Sequence, residues 1–173
     1  MTRPKCLVLG IGNLLLSDEG VGVHVVRALQ DVELPGHVEL LDGGTGGFHL
    51  LGCFQDFACL LIVDATLDEK PPGTVSVRQP RFASDFPRVL SSHDIGLRDL
   101  IESATLLGDL PRMFLITVSI AADQPMGLEL SVPVRAVIEQ VVQQVRTIVQ
   151  DLVDPALQDP RSNLLLPSGN RNA

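Results

Sequence analysis

The sequence predicts an α/β fold: a three-layer sandwich in which helices cover both faces of a mostly parallel sheet of about five strands. Two observations lead to this prediction. Short, continuous apolar runs bounded by glycine or polar residues recur along the chain, as in strands buried on both faces of a parallel sheet. Between them lie segments whose apolar residues recur every three or four positions, which is the spacing of helices that pack one face against a sheet.

Strands and helices alternate in chain order. Strands are predicted over residues 5–9, 37–41, 59–63, 74–78 and 113–120, and helices over residues 20–30, 48–54, 95–107 and 131–152. The run at residues 59–63 is the clearest buried strand, and we expect it to end at Asp64 and Ala65. Residues 79–92 contain two prolines and mixed polarity, which predicts a loop, and residues 121–128 form an irregular polar stretch.

Length and composition predict one domain. A chain of 173 residues can bury a core, and its 45% hydrophobic and 20% charged residues match ordinary globular proteins. We expect a single α/β domain over residues 1–153. Residues 154–173 contain three prolines and polar ends, so we expect a loosely held C-terminal tail.

The same totals restrict the partners and the compartment. The net charge of −8 and an aromatic content of 3%, without Trp or Tyr, argue against nucleic-acid binding. No signal-peptide pattern is visible, and the longest apolar runs are shorter than the roughly 20 residues of a membrane span. Cys6, Cys53 and Cys59 lie among apolar residues without C-x-x-C spacing, which is typical of buried free thiols. We therefore expect a cytoplasmic protein without membrane contact.

A glycine turn follows the first strand. Gly10 and Gly12 permit a tight turn or a close backbone approach, at the carboxyl edge of the sheet where α/β proteins usually bind ligands. The dinucleotide fingerprint needs a third glycine where this chain has Leu15, and an acid about 20 residues further on, whereas Asp42 lies too far along. A nucleotide site is therefore disfavoured.

Three polar residues are the candidates for chemistry: Glu19, Asp64 and His93. Each also has a structural explanation, since Glu19 suits the start of a helix, Asp64 a turn and His93 a helix start. In a doubly wound sheet, however, the ends of the first and third strands are neighbours. Glu19 and Asp64 can then converge, and a loop that carries His93 can close over them.

Two carboxylates and an imidazole suit a divalent first-row metal with open coordination positions, which can activate water for hydrolysis. A serine or cysteine nucleophile is less favoured, because no G-x-S-x-G motif occurs and no cysteine has an adjacent base. Asp18 and Asp42 are secondary candidates that could orient ligands or line the pocket.

Four motifs in order resemble those of the NiFe-hydrogenase maturation endopeptidases. They are G-I-G-N-x-L-x-x-D-E-G-x-G-V at residues 10–23, D-G-G-T-x-G at 42–47, V-D-A at 63–65 and S-x-H-x-x-G-L at 91–97. The resemblance extends from about residue 5 to 150 and implies a twisted sheet between helices. It departs from the family at Ser92, where many relatives have proline, and the first acidic position, Asp18 here, varies between family branches.

The resemblance also implies a function. These proteases remove a short C-terminal extension from the hydrogenase large-subunit precursor after nickel insertion. Their metal-contacting residues match Glu19, Asp64 and His93, which would contact nickel held by the substrate, so that no permanent metal is needed. The loop at residues 42–47 would help to shape the pocket.

We therefore expect a cytoplasmic, monomeric endopeptidase of the aspartyl or metal-dependent type, with a hydrogenase large-subunit precursor as its partner and substrate-borne nickel as its metal. The general base stays open between a carboxylate released from the metal and Asp18. Two alternatives stay open: a nickel chaperone or checkpoint protein with the same ligands and no peptidase activity, and a protease that holds its own catalytic zinc.

Overall fold

A five-stranded sheet forms the centre of the computed structural model, which describes residues 5–85 and 97–152. The strands are β1 (Cys6–Gly10), β2 (Val38–Asp42), β3 (Cys59–Thr66), β4 (Val75–Arg78) and β5 (Arg112–Ser119). They lie in the order β2-β1-β3-β5-β4, and all neighbours are parallel except β4, which runs antiparallel to β5. The chain therefore reverses its direction of winding between β1 and β3, which is the usual position of a ligand site.

Helices cover both faces of the sheet, so the predicted three-layer α/β fold is confirmed. The helices are α1 (Val21–Leu29), α2 (Cys53–Asp56), α3 (Leu97–Leu107), α4 (Val132–Arg135) and α5 (Ile138–Asp151), and 3-10 turns lie at Ser17–Gly20, Phe48–Gly52 and Ala83–Asp85. One apolar cluster joins α1, α4 and α5 to residues such as Leu61 and Val63 of β3. The other joins α2 and α3 to Leu60 and Ile62, which point to the opposite face of the same strand.

The structure corrects the predicted end of the third strand. The apolar pattern predicts an end at Val63, whereas β3 continues to Thr66. β1 stops at Gly10, opposite Val63, but β5 provides partners as far as Ser119, opposite Thr66. Pairing with β5 therefore extends β3 beyond its apolar run.

The last predicted helix is in fact two helices, α4 and α5. The apolar spacing predicts one helix over residues 131–152, but a tight turn at Ala136 and Val137 separates them. In this turn, the Val137 N–H donates to the carbonyl oxygen of Val134 over 3.3 Å. Val134 of α4 and Val141 of α5 belong to the same apolar cluster, so the apolar stripe runs through the break and hides it from the sequence.

Several predicted features fall wholly or partly outside the described residues. The loop predicted over residues 79–92 contains the 3-10 turn at Ala83–Asp85, while residues 86–92 lie outside. Outside as well are His93, the first two residues of the helix predicted over 95–107, and the predicted tail at residues 154–173.

The cysteines and the helices bear on two further expectations. Cys6 and Cys59 are buried free thiols, as predicted, whereas Cys53 is partly exposed because the short α2 buries only Phe54. Within residues 5–85 and 97–152, no helix is both long and apolar enough to cross a membrane.

Glycines let α1 lie directly on the ends of two strands. Gly10 ends β1, and Gly22 lies in the first turn of α1. A Cβ atom at Gly22 would overlap the carbonyl oxygens of Ile11 and Val63, and one at Gly10 would overlap the carbonyl oxygen of Gly22. Backbone therefore contacts backbone here, and a larger residue would push α1 away from β1 and β3.

The substitution Gly22→Ala tests this contact. We expect a loss of about 1–3 kcal/mol in the free energy of unfolding, because the added methyl group must displace backbone rather than a flexible side chain. The matched control is Gly52→Ala, where a Cβ would meet nothing within 4 Å and φ is −57°. Urea midpoints should fall for the first variant and stay equal or rise slightly for the second. Equal midpoints for both variants would contradict the close contact.

Candidate active site

Glu19 lies in the 3-10 turn Ser17–Gly20, which connects the glycine turn after β1 to α1. Its side chain is buried, with the residue only 5% exposed. The Glu19 N–H donates to the carbonyl oxygen of Leu16 over 3.0 Å. Gly12 has a φ of +154°, and a Cβ there would overlap the Glu19 carbonyl oxygen. Gly12 therefore allows the chain to fold back closely beneath Glu19.

Asp64 lies inside β3, two residues before its end, whereas the sequence predicts it at the end of the strand. The residue is 1% exposed, and its Oδ1 accepts the N–H of Ala65 over 2.7 Å. On one side its strand neighbour is Thr117 of β5, but on the other side β1 has already ended at Gly10, opposite Val63. The carboxylate therefore lies at the carboxyl edge of the sheet, beside the gap that follows β1.

The two acids are electrostatic neighbours. Burial raises the pKa of Asp64 well above its usual range, and the charge of Glu19 raises it further, while the hydrogen bond from Ala65 acts in the opposite direction. Two carboxylates that share a buried edge repel each other, so the protonated form of Asp64 is favoured. A cation would relieve the same repulsion without a proton.

The third candidate, His93, lies outside the described residues. Asp64 points to the same face of the sheet as Ile62, because side chains alternate along a strand. Leu97, the first residue of α3, is buried in the same apolar cluster as Ile62. Among the residues that the structure describes, no three His, Cys, Asp or Glu side chains are placed to hold a metal ion. Glu19 and Asp64 are only two carboxylates, so a metal site built on them would need further donors.

Asp18 has a clear structural task. Its Oδ1 accepts the N–H of Ser131 over 2.7 Å, and its Oδ2 accepts the Ser131 hydroxyl over 2.8 Å. Its own N–H donates to Oε1 of Gln124 over 2.9 Å. Asp18 therefore ties the turn that carries Glu19 to the segment that begins α4. This arrangement favours a positioning role for Asp18 over the role of general base.

The loop at residues 42–47 is hydrogen-bonded to the glycine turn. Asp42 is exposed, and its Oδ1 accepts the N–H of Gly44 over 2.9 Å. The N–H of Gly43 donates to Gly10 and that of Gly12 donates to Gly44, over 2.9 and 2.7 Å. The loop is therefore fixed beside the site, although the Asp42 carboxylate faces solvent.

Sequence reasoning missed the hydroxyl groups that border Asp64. Thr117 is in register with Asp64 on β5, and Ser119 is in register with Thr66. All three hydroxyl residues are buried. Threonine and serine at alternate positions of an otherwise apolar strand were the available signal, because such positions share one face.

The chain is an α/β protein with two buried carboxylates at the carboxyl edge of its sheet, beside the point where the winding reverses. Proteins of this fold class usually bind their ligands at this edge. Comparison with known proteins defines it further. A family model described as hydrogenase maturation protease (HycI) matches residues 23–148. The chain is 36% identical over 150 residues to the hydrogenase 2 maturation protease of Escherichia coli, and the match covers 85% of this chain and 92% of that one.

A second relative is the hydrogenase expression/formation protein HoxM of Azotobacter vinelandii, which is 39% identical over 145 residues, covering 80% of this chain and 69% of the relative. Among solved structures, the hydrogenase maturating endopeptidase HybD of E. coli superposes with a TM-score of 0.76 at 35% identity, covering 85% of this chain and 93% of that one. The chain belongs to the hydrogenase maturation protease family and is an enzyme that cleaves peptide bonds.

Replacing Asp64 by asparagine should stabilise the fold at neutral pH. Because the folded-state pKa of Asp64 is raised, the folded protein retains a proton that the unfolded chain releases near about pH 4. Wild-type stability therefore falls as the pH rises from the unfolded pKa towards the folded pKa, and the loss persists above it. Asparagine keeps an acceptor for the Ala65 N–H but carries no charge.

Urea midpoints of the wild type and of D64N, measured at about pH 4 and about pH 7, check this prediction. The advantage of D64N should grow between the two pH values. A stability difference between D64N and the wild type that is equal at both pH values would contradict a raised pKa of Asp64, as would a D64N variant that is less stable than the wild type at neutral pH.

Proposed function

We propose that this protease removes a C-terminal extension from the large-subunit precursor of a NiFe hydrogenase after nickel has been inserted. The observation that carries the proposal is the pairing of two buried carboxylates, Glu19 and Asp64, at one edge of the sheet in a hydrogenase maturation protease. Oxygen ligands of this kind can bind a divalent cation that the substrate brings.

In this proposal the nickel belongs to the precursor and acts as the recognition element. Glu19 and Asp64 approach the metal from the protease, and His93 adds a nitrogen ligand that suits nickel. Contact with nickel draws the precursor into a fixed position, and the peptide bond next to the metal site is held for attack by water. A precursor without nickel lacks this anchor, so it is not cut.

The raised pKa of Asp64 supports this order of events. Without a cation, the raised pKa favours the protonated form of the buried carboxyl, in which the repulsion from Glu19 is reduced. A positive ion that arrives with the substrate favours the charged form of Asp64 and releases that proton. Binding of loaded precursor is therefore coupled to proton release, whereas binding of an empty precursor is not.

A cleavage assay tests the proposal. Purified protein is mixed with its hydrogenase precursor, with and without nickel, and the products are weighed by mass spectrometry. We expect loss of a C-terminal peptide only from the nickel-loaded precursor, by protease that contains no metal of its own. Such a result would exclude both the chaperone and the protease with its own zinc. Release of no peptide in either sample would refute the proposal.

Variants of the three ligands sharpen this test. Glu19→Gln, Asp64→Asn and His93→Ala should each lower cleavage by about 100-fold or more, because the precursor loses part of the anchor that positions its peptide bond. Each variant should still unfold cooperatively. The matched control is Glu39→Gln, which neutralises an exposed carboxylate on β2 that pairs with Lys5. Full activity of any ligand variant would reject that residue as a ligand.

A further inference from the structure

Three large apolar side chains are exposed on the turn that leads to Glu19 and on the segment bonded to it, and we refer to them as the docking patch. Leu15 is 60% exposed, Met126 84% and Leu128 61%. Leu15 lies in the turn before Glu19, and the other two lie in the irregular segment before α4. Single exposed apolar residues are common on protein surfaces, but a cluster of them is typical of an interaction site.

Hydrogen bonds between the two segments hold the patch together. The N–H of Gly127 donates to the carbonyl oxygen of Leu15 over 2.9 Å, and the N–H of Ser17 donates to that of Gly127 over 2.8 Å. The Ser17 hydroxyl also donates to the carbonyl oxygen of Pro125, over 3.1 Å. The apolar side chains of the patch are therefore presented by backbone that is already ordered, which reduces the entropy cost of binding.

The patch adjoins the turn that carries Glu19. Leu15 precedes Glu19 by four residues, and the Glu19 N–H is bonded to the carbonyl oxygen of Leu16. A cavity of about 300 Å³ is lined by residues of both segments, among them Ser17, Gln124 and Pro125. The cavity is lined by chain neighbours of the patch residues and by Asp18, the residue before Glu19, so a polypeptide on the patch can place a side chain there.

The net charge beside the patch is negative. Asp123 is exposed within the segment that carries Met126 and Leu128, while the exposed Glu129 pairs with Arg135. The whole chain has a net charge of −8. A second copy of this chain would bring its own acids against these ones, because a two-fold interface pairs a surface with itself. A partner with basic residues beside an apolar segment is instead attracted.

We propose that the docking patch binds the hydrogenase large-subunit precursor through an apolar segment bordered by basic residues. This inference rests on the proposed function and adds a second contact to it, which does not involve the metal. The patch supplies affinity for the precursor as a protein, and the acids recognise its nickel. Docking there affects binding of the precursor and leaves the chemical step unchanged.

The test replaces the three patch residues together, as Leu15→Ser, Met126→Ser and Leu128→Ser. We expect the KM for nickel-loaded precursor and its Kd to rise by about 10-fold or more, with kcat within about 2-fold of wild type. The matched control is Leu106→Ser with Leu107→Ser, a pair of exposed leucines at the end of α3. This control should leave both constants unchanged. Met126→Ser alone serves as a milder variant should the triple variant unfold.

Each outcome decides the inference. Unchanged KM and Kd in the patch variant would overturn it, as would a fall in kcat alone. Sedimentation of the wild type as a dimer that the patch variant abolishes would assign the patch to a second copy instead. Should the wild type fail to cleave, the proposed function fails, but Kd for the precursor still tests the patch. In addition, Asp123→Asn should slow association with the precursor at low salt and lessen its salt dependence.

Discussion

The close backbone contact between the start of α1 and the ends of β1 and β3 is the constraint on which the rest of the site depends. The N–H of Ile11 donates to the carbonyl oxygen of Val63 over 2.9 Å, so the chain follows β3 for one step beyond its own strand. Gly12 then turns the chain back, and Gly22 lets α1 rest on the carbonyl groups of Ile11 and Val63. Glu19 lies between these two glycines, so its position beside Asp64 follows from backbone packing.

The two buried acids lower the stability of the folded protein, which is common where function requires charge. Asp64 and Glu19 are both buried, and the charge of Glu19 adds to the burial that raises the pKa of Asp64, so folding must offset lost hydration as well as repulsion. The apolar clusters on the two faces of the sheet provide that stability. A protein selected only for stability would have an amide or apolar residue at Asp64, and the presence of a carboxyl group is itself an argument for a role in binding or catalysis.

The sequence predicted the layers and the order of elements well, because burial on both faces leaves an unmistakable apolar run. The predictions were wrong where contacts between distant segments extend or interrupt an element independently of its apolar pattern. The extension of β3 past Val63 depends on partners from β5, and the break before α5 leaves the apolar stripe in phase. The candidate acids were found because strand ends meet at one edge. The structural role of Asp18 was not found, because its partner Ser131 is 113 residues away and no local sequence pattern indicates that hydrogen bond.

Two weak contacts explain selective cleavage better than one strong contact does. A site in which the protonated form of Asp64 is favoured would bind free nickel poorly, and an apolar patch of three residues would bind any precursor only moderately. When one turn joins part of the patch to one of the acids, however, the first contact raises the effective concentration of the second, and the two affinities multiply. Under the proposed function, only a precursor that carries both the protein segment and the metal satisfies the two contacts. The turn that joins Leu15 to Glu19 would then couple recognition of the bound nickel to recognition of the precursor protein.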